Sequence, residues 1–137
     1  MKTLLIPASF LLLPFIITAQ PSLEFDIFTC QAPDGYLLKD KQEKLFFEKT
    51  EGAGYCQLYL WKAISGETDP EKNFDRDWNN YAVRPYQLGK PESKETNAAD
   101  GWTVINGAAR GLYKNIQFVI SVSTYSKGAV TYAIVSV

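Results

Sequence analysis

The stretch Asp69-Pro70-Glu71-Lys72-Asn73-Phe74-Asp75-Arg76-Asp77-Trp78-Asn79-Asn80-Tyr81-Ala82-Val83-Arg84-Pro85 divides the chain. Asp69 suits an N-cap, because its carboxylate can accept an orphan backbone N–H. Pro70 at the first helical position gives up a donor that had no partner there. Glu71 suits the positive end of the helix dipole. Phe74, Trp78, Tyr81 and Ala82 recur at helical spacing and form one apolar stripe, with Asp75, Arg76, Asp77, Asn79 and Asn80 mostly outside it. Arg84-Pro85 closes the helix. This pattern predicts Phe74, Trp78 and Tyr81 against a sheet, and Asp75 and Asn79 in solvent.

On the N-terminal side the pattern is strand-like. Glu24-Phe25-Asp26-Ile27-Phe28-Thr29-Cys30 is rich in aromatic and β-branched residues and is stopped by the turn signal Pro33-Asp34-Gly35. Tyr36-Leu37-Leu38 and Lys44-Leu45-Phe46-Phe47-Glu48-Lys49-Thr50 flank Asp40-Lys41-Gln42-Glu43, which reads as a hairpin loop. Gly52-Ala53-Gly54 makes the next turn, and Tyr55 to Ile64 forms a third strand. On the C-terminal side, Gln87 to Asp100 is polar and reads as an exposed connection with room for a short edge strand. Trp102 to Tyr113, Ile116 to Tyr125 and Ala129 to Val137 return to strand character. Asn106-Gly107 is a strong hairpin dipeptide in general. Here it would leave Ala108-Ala109-Arg110-Gly111-Leu112 as a poor return strand. The better turn is Tyr113-Lys114-Asn115, with Gly107 a bulge or a close-approach site.

Three strands, one main helix and three strands predict an α+β domain with a largely antiparallel sheet of about six strands. A resemblance points the same way. A first strand ending at Ala32-Pro33-Asp34-Gly35-Tyr36 is followed by a Cys56-led third strand and a Phe74-x3-Trp78 helix. Gly101-Trp102-Thr103-Val104-Ile105-Asn106-Gly107-Ala108-Ala109 and a hairpin near Ser126-Lys127-Gly128 complete the order. Together these resemble a group of small secreted bacterial proteins of uncharacterised function. More distantly, they resemble the PsbP-like fold, named for an extrinsic photosystem II subunit. The resemblance implies the fold and nothing about activity.

The chain opens with Met1-Lys2-Thr3 and an uncharged apolar run to Ala19, before Gln20-Pro21. That is the order of a secretory signal peptide, residues 1–19, cleaved at Ala19–Gln20. The alternative is an uncleaved anchor, since spanning helices need roughly 17–25 residues; Pro7, Pro14 and the small residue before Gln20 favour cleavage. A secreted or periplasmic protein follows, with no membrane attachment after cleavage and one domain over residues 20–137. Without Lys2, thirteen basic residues face fifteen acidic ones. No basic surplus exists to neutralise phosphates, which disfavours nucleic acid as a partner.

The chain has no histidine. That removes Ser-His-Asp and Cys-His catalysis, histidine metal sites and a histidine general base. No Ser-x-x-Lys occurs, and Gly52-Ala53-Gly54 is too short for a phosphate cradle. Asn73, Asp75, Asp77 and Asn79 alternate like the ligands of a calcium loop, but Trp78 and Arg84 stand where that loop needs glycine and glutamate. They read as a solvated helix face. No cofactor and no metal is expected.

Cys30 and Cys56 are the only cysteines. A bridge between them would close a loop of about 26 residues and contribute roughly 3–4 kcal/mol; the alternative is two buried thiols acting as small hydrophobes. Tyr55, Tyr59 and Trp61 share a strand face opposite Leu58 and Leu60. With Trp102 they form either a platform for sugar or peptide, or a second buried face beneath a helix. Ala129 to Val137 is strand to its last residue, so the chain is either truncated at its C-terminus or leaves one sheet face for a ligand. The expected function is a non-catalytic binding domain whose partner is an envelope protein or a small ligand. The alternative is a small carboxylate-dependent hydrolase of envelope polysaccharide, built on Glu24, Asp26 or Asp100 and testable by whether two carboxylates face each other across a cleft.

Overall fold

The structure, a computed structural model, describes residues 21–137. The signal peptide assigned to residues 1–19 lies outside the described residues. The described residues form ten strands: β1 (Leu23–Phe25), β2 (Phe28–Cys30), β3 (Leu37–Lys41), β4 (Lys44–Glu51), β5 (Gly54–Trp61), β6 (Ile64–Ser65), β7 (Ser93–Ala99), β8 (Trp102–Tyr113), β9 (Ile116–Lys127) and β10 (Val130–Ser136). Helix α1 (Pro70–Trp78), a π-helical turn (Asn79–Val83) and the one-turn α2 (Arg84–Tyr86) connect β6 to β7. Strands β3-β4-β5-β10-β9-β8-β7 lie side by side with β6 also on β10, giving one eight-stranded sheet, while β1 and β2 form a separate ribbon. All pairings are antiparallel.

This corrects the α+β expectation. The protein is mostly sheet, with 57% of the described residues in strands and one short helical segment. Three effects raise the strand number. Asp26 takes a left-handed φ of 54° and its carboxylate accepts the Ala63 N–H at 2.8 Å. The run from Glu24 to Cys30 therefore folds back on itself, pairing Phe25 with Phe28. The polar segment Ser93–Ala99 forms a full edge strand although every residue in it is exposed. An edge in water has no apolar alternation to betray it. Finally, two residues of β6 peel off past β5 to pair with Val130 and Thr131.

The two longest strands, β8 and β9, turn at Lys114-Asn115, with φ of 48° and 66°. Two residues with positive φ match the twist of a two-residue hairpin, and Asn tolerates that region well. Gly107 stays inside β8. A β-carbon there would sit 2.5 Å from Cζ of Phe74, so its missing side chain lets the helix close on the sheet.

Asp69 caps α1, its carboxylate accepting the Glu71 N–H at 3.0 Å. The helical segment does not stop at Arg84-Pro85. Proline lacks an N–H and its ring crowds the carbonyl four residues back. The backbone instead widens to a π turn, in which the Arg84 N–H reaches back to the Asn79 carbonyl. Gln87, at φ 56°, ends α2 one turn later. The solvated-face reading is also corrected for two residues, since Asn73 and Asp77 are only 1% and 3% exposed. Asn73 accepts the Glu67 N–H (2.8 Å) and donates to the Glu67 carbonyl (2.8 Å) and Ser126 Oγ (3.1 Å). Asp77 accepts from Arg76 (2.9 and 3.0 Å) and from Thr124 Oγ1 (2.9 Å). Buried polar groups need such partners, and here they pin the helix to β9.

Alternation along each strand sends side chains to opposite faces, and the two faces hold separate cores. On the helix face Phe74, Trp78 and Ala82 pack on Ile105, Ala109, Ile120, Val122 and Val135. On the ribbon face Phe25 covers Leu45, Phe47 and Leu60. Each face thus has its own cover, the helix over β8 and β9 and the ribbon over β4 and β5. β10 contributes to both cores, Val135 to one and Ile134 to the other. Beyond Ser136, Val137 exchanges both backbone hydrogen bonds with Gln57 (2.8 and 2.9 Å).

Candidate functional site

The diagonal cover leaves the helix-face side chains of β4 and β5 beside the helix rather than under it. Here the alternation of Lys44, Phe46 and Glu48 on β4 meets that of Tyr55, Gln57, Tyr59 and Trp61 on β5, because Phe46 pairs with Tyr59 and Lys44 with Trp61. The rings of Phe46 and Tyr59 stack at 4.7 Å. From the π turn, Tyr81 stacks on Trp61 at 5.0 Å. From α2, Tyr86 leans on Phe118 at 4.8 Å and meets Tyr113 edge-on at 5.9 Å. Tyr59, Trp61, Tyr81, Pro85, Tyr86, Val135 and Val137 line an open cleft of about 150 Å³.

Of the four aromatic residues singled out in the sequence, Tyr59 and Trp61 line this cleft. Tyr55 lies near it on the same strand face and is 58% exposed. Trp102 is elsewhere. It packs edge-on against Tyr132 at 5.3 Å, on the ribbon face, with β10 and β9 between its strand and β5. The structure brings three of the four together and separates the fourth. The sequence reading missed Phe46, Tyr86 and Pro85. Phe46 was within reach, since a β4–β5 hairpin places one residue of each face opposite another. Tyr86 was not, because it lies beyond Pro85, where the sequence pattern ends the helix.

The cleft's own polar groups are tyrosine hydroxyls, with a carboxylate and an ammonium beside them. The Tyr59 hydroxyl donates to Gln57 Oε1 (2.8 Å), and Gln57 Nε2 donates to Glu48 Oε2 (3.2 Å). Burial, with help from the neighbouring Tyr86, Glu48 and Tyr55, pushes Tyr59 up to about 12. Burial and then the Asp77 carboxylate push Tyr81 up to about 12 against the opposing pull of Arg76. Both hydroxyls therefore stay protonated across the physiological range. Lys44 stands 5.0 Å from the Trp61 ring centroid and 6.0 Å from that of Tyr59, and makes no ion pair among the described residues. Trp61 Nε1–H is buried with no acceptor among the described residues. By contrast, Trp78 Nε1–H donates to the Gly89 carbonyl at 2.9 Å.

The other candidates fare differently. Cys30 and Cys56 are both free thiols. Asp26 is occupied by the Ala63 N–H, Asp100 lies in the β7–β8 turn at φ 52°, and Glu24 is exposed on β1. None of the three lines this cleft. Among the described residues no cluster of three or more His, Cys, Asp or Glu could hold a metal ion, and no helix is long and apolar enough to cross a membrane. No protein-family model matches the chain, and no curated protein matches it significantly.

Proposed function

We propose that this is an exported, non-catalytic binding domain, secreted or periplasmic, that grips another envelope protein through the aromatic cleft between β5 and the π turn. The carrying observation is the cleft's size and lining. Sites for whole small molecules usually enclose about 300–1,000 Å³. A cleft of about 150 Å³ suits a single anchoring side chain of a partner, the kind of contact that carries most of the energy of an interface. The rings also favour peptide over sugar. Sugar stacking needs a bare ring face, whereas Trp61 is stacked on Tyr81 with the Lys44 ammonium also over its ring, and Tyr59 is stacked on Phe46. What these rings offer is edges and hydroxyls, with one buried N–H behind them.

The unpartnered indole supports the same reading. An unsatisfied buried donor costs about 1–3 kcal/mol, which a partner's carbonyl oxygen would recover. Reaching it requires a side chain to move aside, and Lys44 is flexible and unpaired. The test is selection of peptides from a displayed library on the immobilised protein. Enriched peptides should share an apolar or aromatic anchor and lose at least about tenfold in affinity for Tyr86→Ala and for Trp61→Phe, which keeps the stack and deletes the N–H. Failure to enrich any peptide, or binding indifferent to both substitutions, would remove the cleft as the site.

A further inference from the structure

We propose that β7 pairs with β7 of a second copy of this chain, antiparallel about Thr96, so that two sheets continue as one. The two edges of the sheet differ in a way that singles out β7. At β3 the register shifts between Leu38 and Asp40, and this irregularity breaks the outer row of backbone groups. β7 pairs with β8 without interruption from Ser93↔Ala108 to Ala99↔Trp102. All seven of its residues are exposed and none is proline. No backbone hydrogen bond from another described element reaches its outer side. Edge strands are commonly guarded by charged side chains, lysine above all, by proline or by bulges; β7 carries two charges, Lys94 and Glu95. Lys94 does not project, because its ammonium is paired with Glu71 and lies 4.8 Å from the Phe74 ring centroid.

Charge and geometry select the register and a second copy as the occupant. When a two-fold axis runs through a sheet, residues of the same face oppose each other, so the axis must fall on a residue. Centred on Thr96, all seven residues find partners: Thr96 with Thr96 of the copy, Glu95 with Asn97, Lys94 with Ala98 and Ser93 with Ala99. The pair at the centre is a favourable Thr–Thr contact and no like charges meet. Centring on Glu95 opposes two carboxylates and centring on Lys94 opposes two ammonium groups, both unfavourable. Centring on Asn97 leaves the first two residues of β7 without strand partners.

The helices do not obstruct this arrangement. α1 stands over β8 and β9, so the two copies' helices would be four strand spacings apart, about 19 Å, against a packing distance of about 8–10 Å. The aromatic cleft lies toward the opposite end of the sheet and stays open. This inference therefore stands independently of the function proposed above.

Analytical ultracentrifugation of the wild type and of two variants tests it. The wild-type protein should dimerise as its concentration rises. Thr96→Lys and Thr96→Glu each place like charges face to face and should weaken the dimer at least about tenfold, with unchanged circular dichroism because Thr96 is exposed. An equimolar mixture of the two should recover a one-to-one heterodimer. A wild type that remains monomeric at every concentration overturns the proposal. So do variants that dimerise as well as the wild type, and a mixture that associates no better than its components.

Discussion

The molecule carries two clusters of aromatic rings, one on each face of the sheet, and they are built on different plans. On the ribbon face three ring pairs share Tyr132. Phe28 meets it at 4.5 Å, Tyr125 at 4.6 Å and Trp102 at 5.3 Å. On the helix face the rings fall into smaller groups beside a hollow: Phe46 stacks on Tyr59, Trp61 on Tyr81, and Tyr86 rests on Phe118 and Tyr113. A hub fills its own centre. Smaller groups beside a cleft leave a centre for something else. Residue type alone does not separate the two roles; what separates them is whether the next layer of structure closes over the rings. The ribbon strand β2 brings Phe28 down on Tyr132, whereas the π turn brings Tyr81 and α2 brings Tyr86 only to the rim of the cleft.

The comparison can be broken or sharpened by substitution, and Trp78 sets the scale. It is fully packed in the helix-face core and its indole N–H is satisfied, so Trp78→Ala should cost roughly 3–5 kcal/mol in a denaturant titration. Tyr132→Ala should come next, at about 2–3 kcal/mol, because it removes one half-buried ring and uncouples three others. Tyr86→Ala should cost about 1–2 kcal/mol while abolishing most of the peptide binding. If Tyr86 proves as costly as Tyr132, the cleft is a second hub and the contrast between the clusters disappears.

The smallest effect is a change of slope with pH. Burial raises the Asp77 carboxyl above its ordinary range, although Arg76 and Thr124 pull it down. A carboxyl raised in the folded state stabilises the protein below its unfolded pKa, and that contribution is lost as pH rises through the folded value. Asp77→Asn removes the titration and can still accept from Arg76 and donate to Thr124. The stability of the Asn variant relative to the wild type should therefore grow as pH rises from about 3 to 7. Denaturation midpoints measured across that range check it, and parallel profiles would mean that burial does not dominate at Asp77.

What could be read from the chain follows where local chemistry acts alone. The Asp69 cap, the Phe74 and Trp78 stripe, the β8–β9 turn at Lys114-Asn115 and the close approach at Gly107 all depend on a few adjacent residues, and each appears as expected. The errors lie where distant partners decide. Asp26 reverses the chain because its carboxylate finds the Ala63 N–H, 37 residues away. Asn73 and Asp77 are buried because Ser126 and Thr124 wait on β9 to satisfy them. Polar β7, for which the sequence leaves room as a short edge strand, extends to seven residues because β8 offers it a full row of partners. Trp102 was grouped with Tyr55, Tyr59 and Trp61 on residue type. Strand order places β10 and β9 between them, and strand parity places Trp102 on the other face.

The claim that one cluster binds and the other holds is tested most directly at the three tryptophan indoles. A ¹H–¹⁵N spectrum resolves their Nε1–H groups during titration with a selected peptide, and Trp61→Phe assigns one of them by its disappearance. The Trp61 resonance should move downfield as it gains an acceptor, while those of Trp78 and Trp102 stay in place. Saturated binding that shifts Trp102 instead, or leaves Trp61 unmoved, would contradict the account.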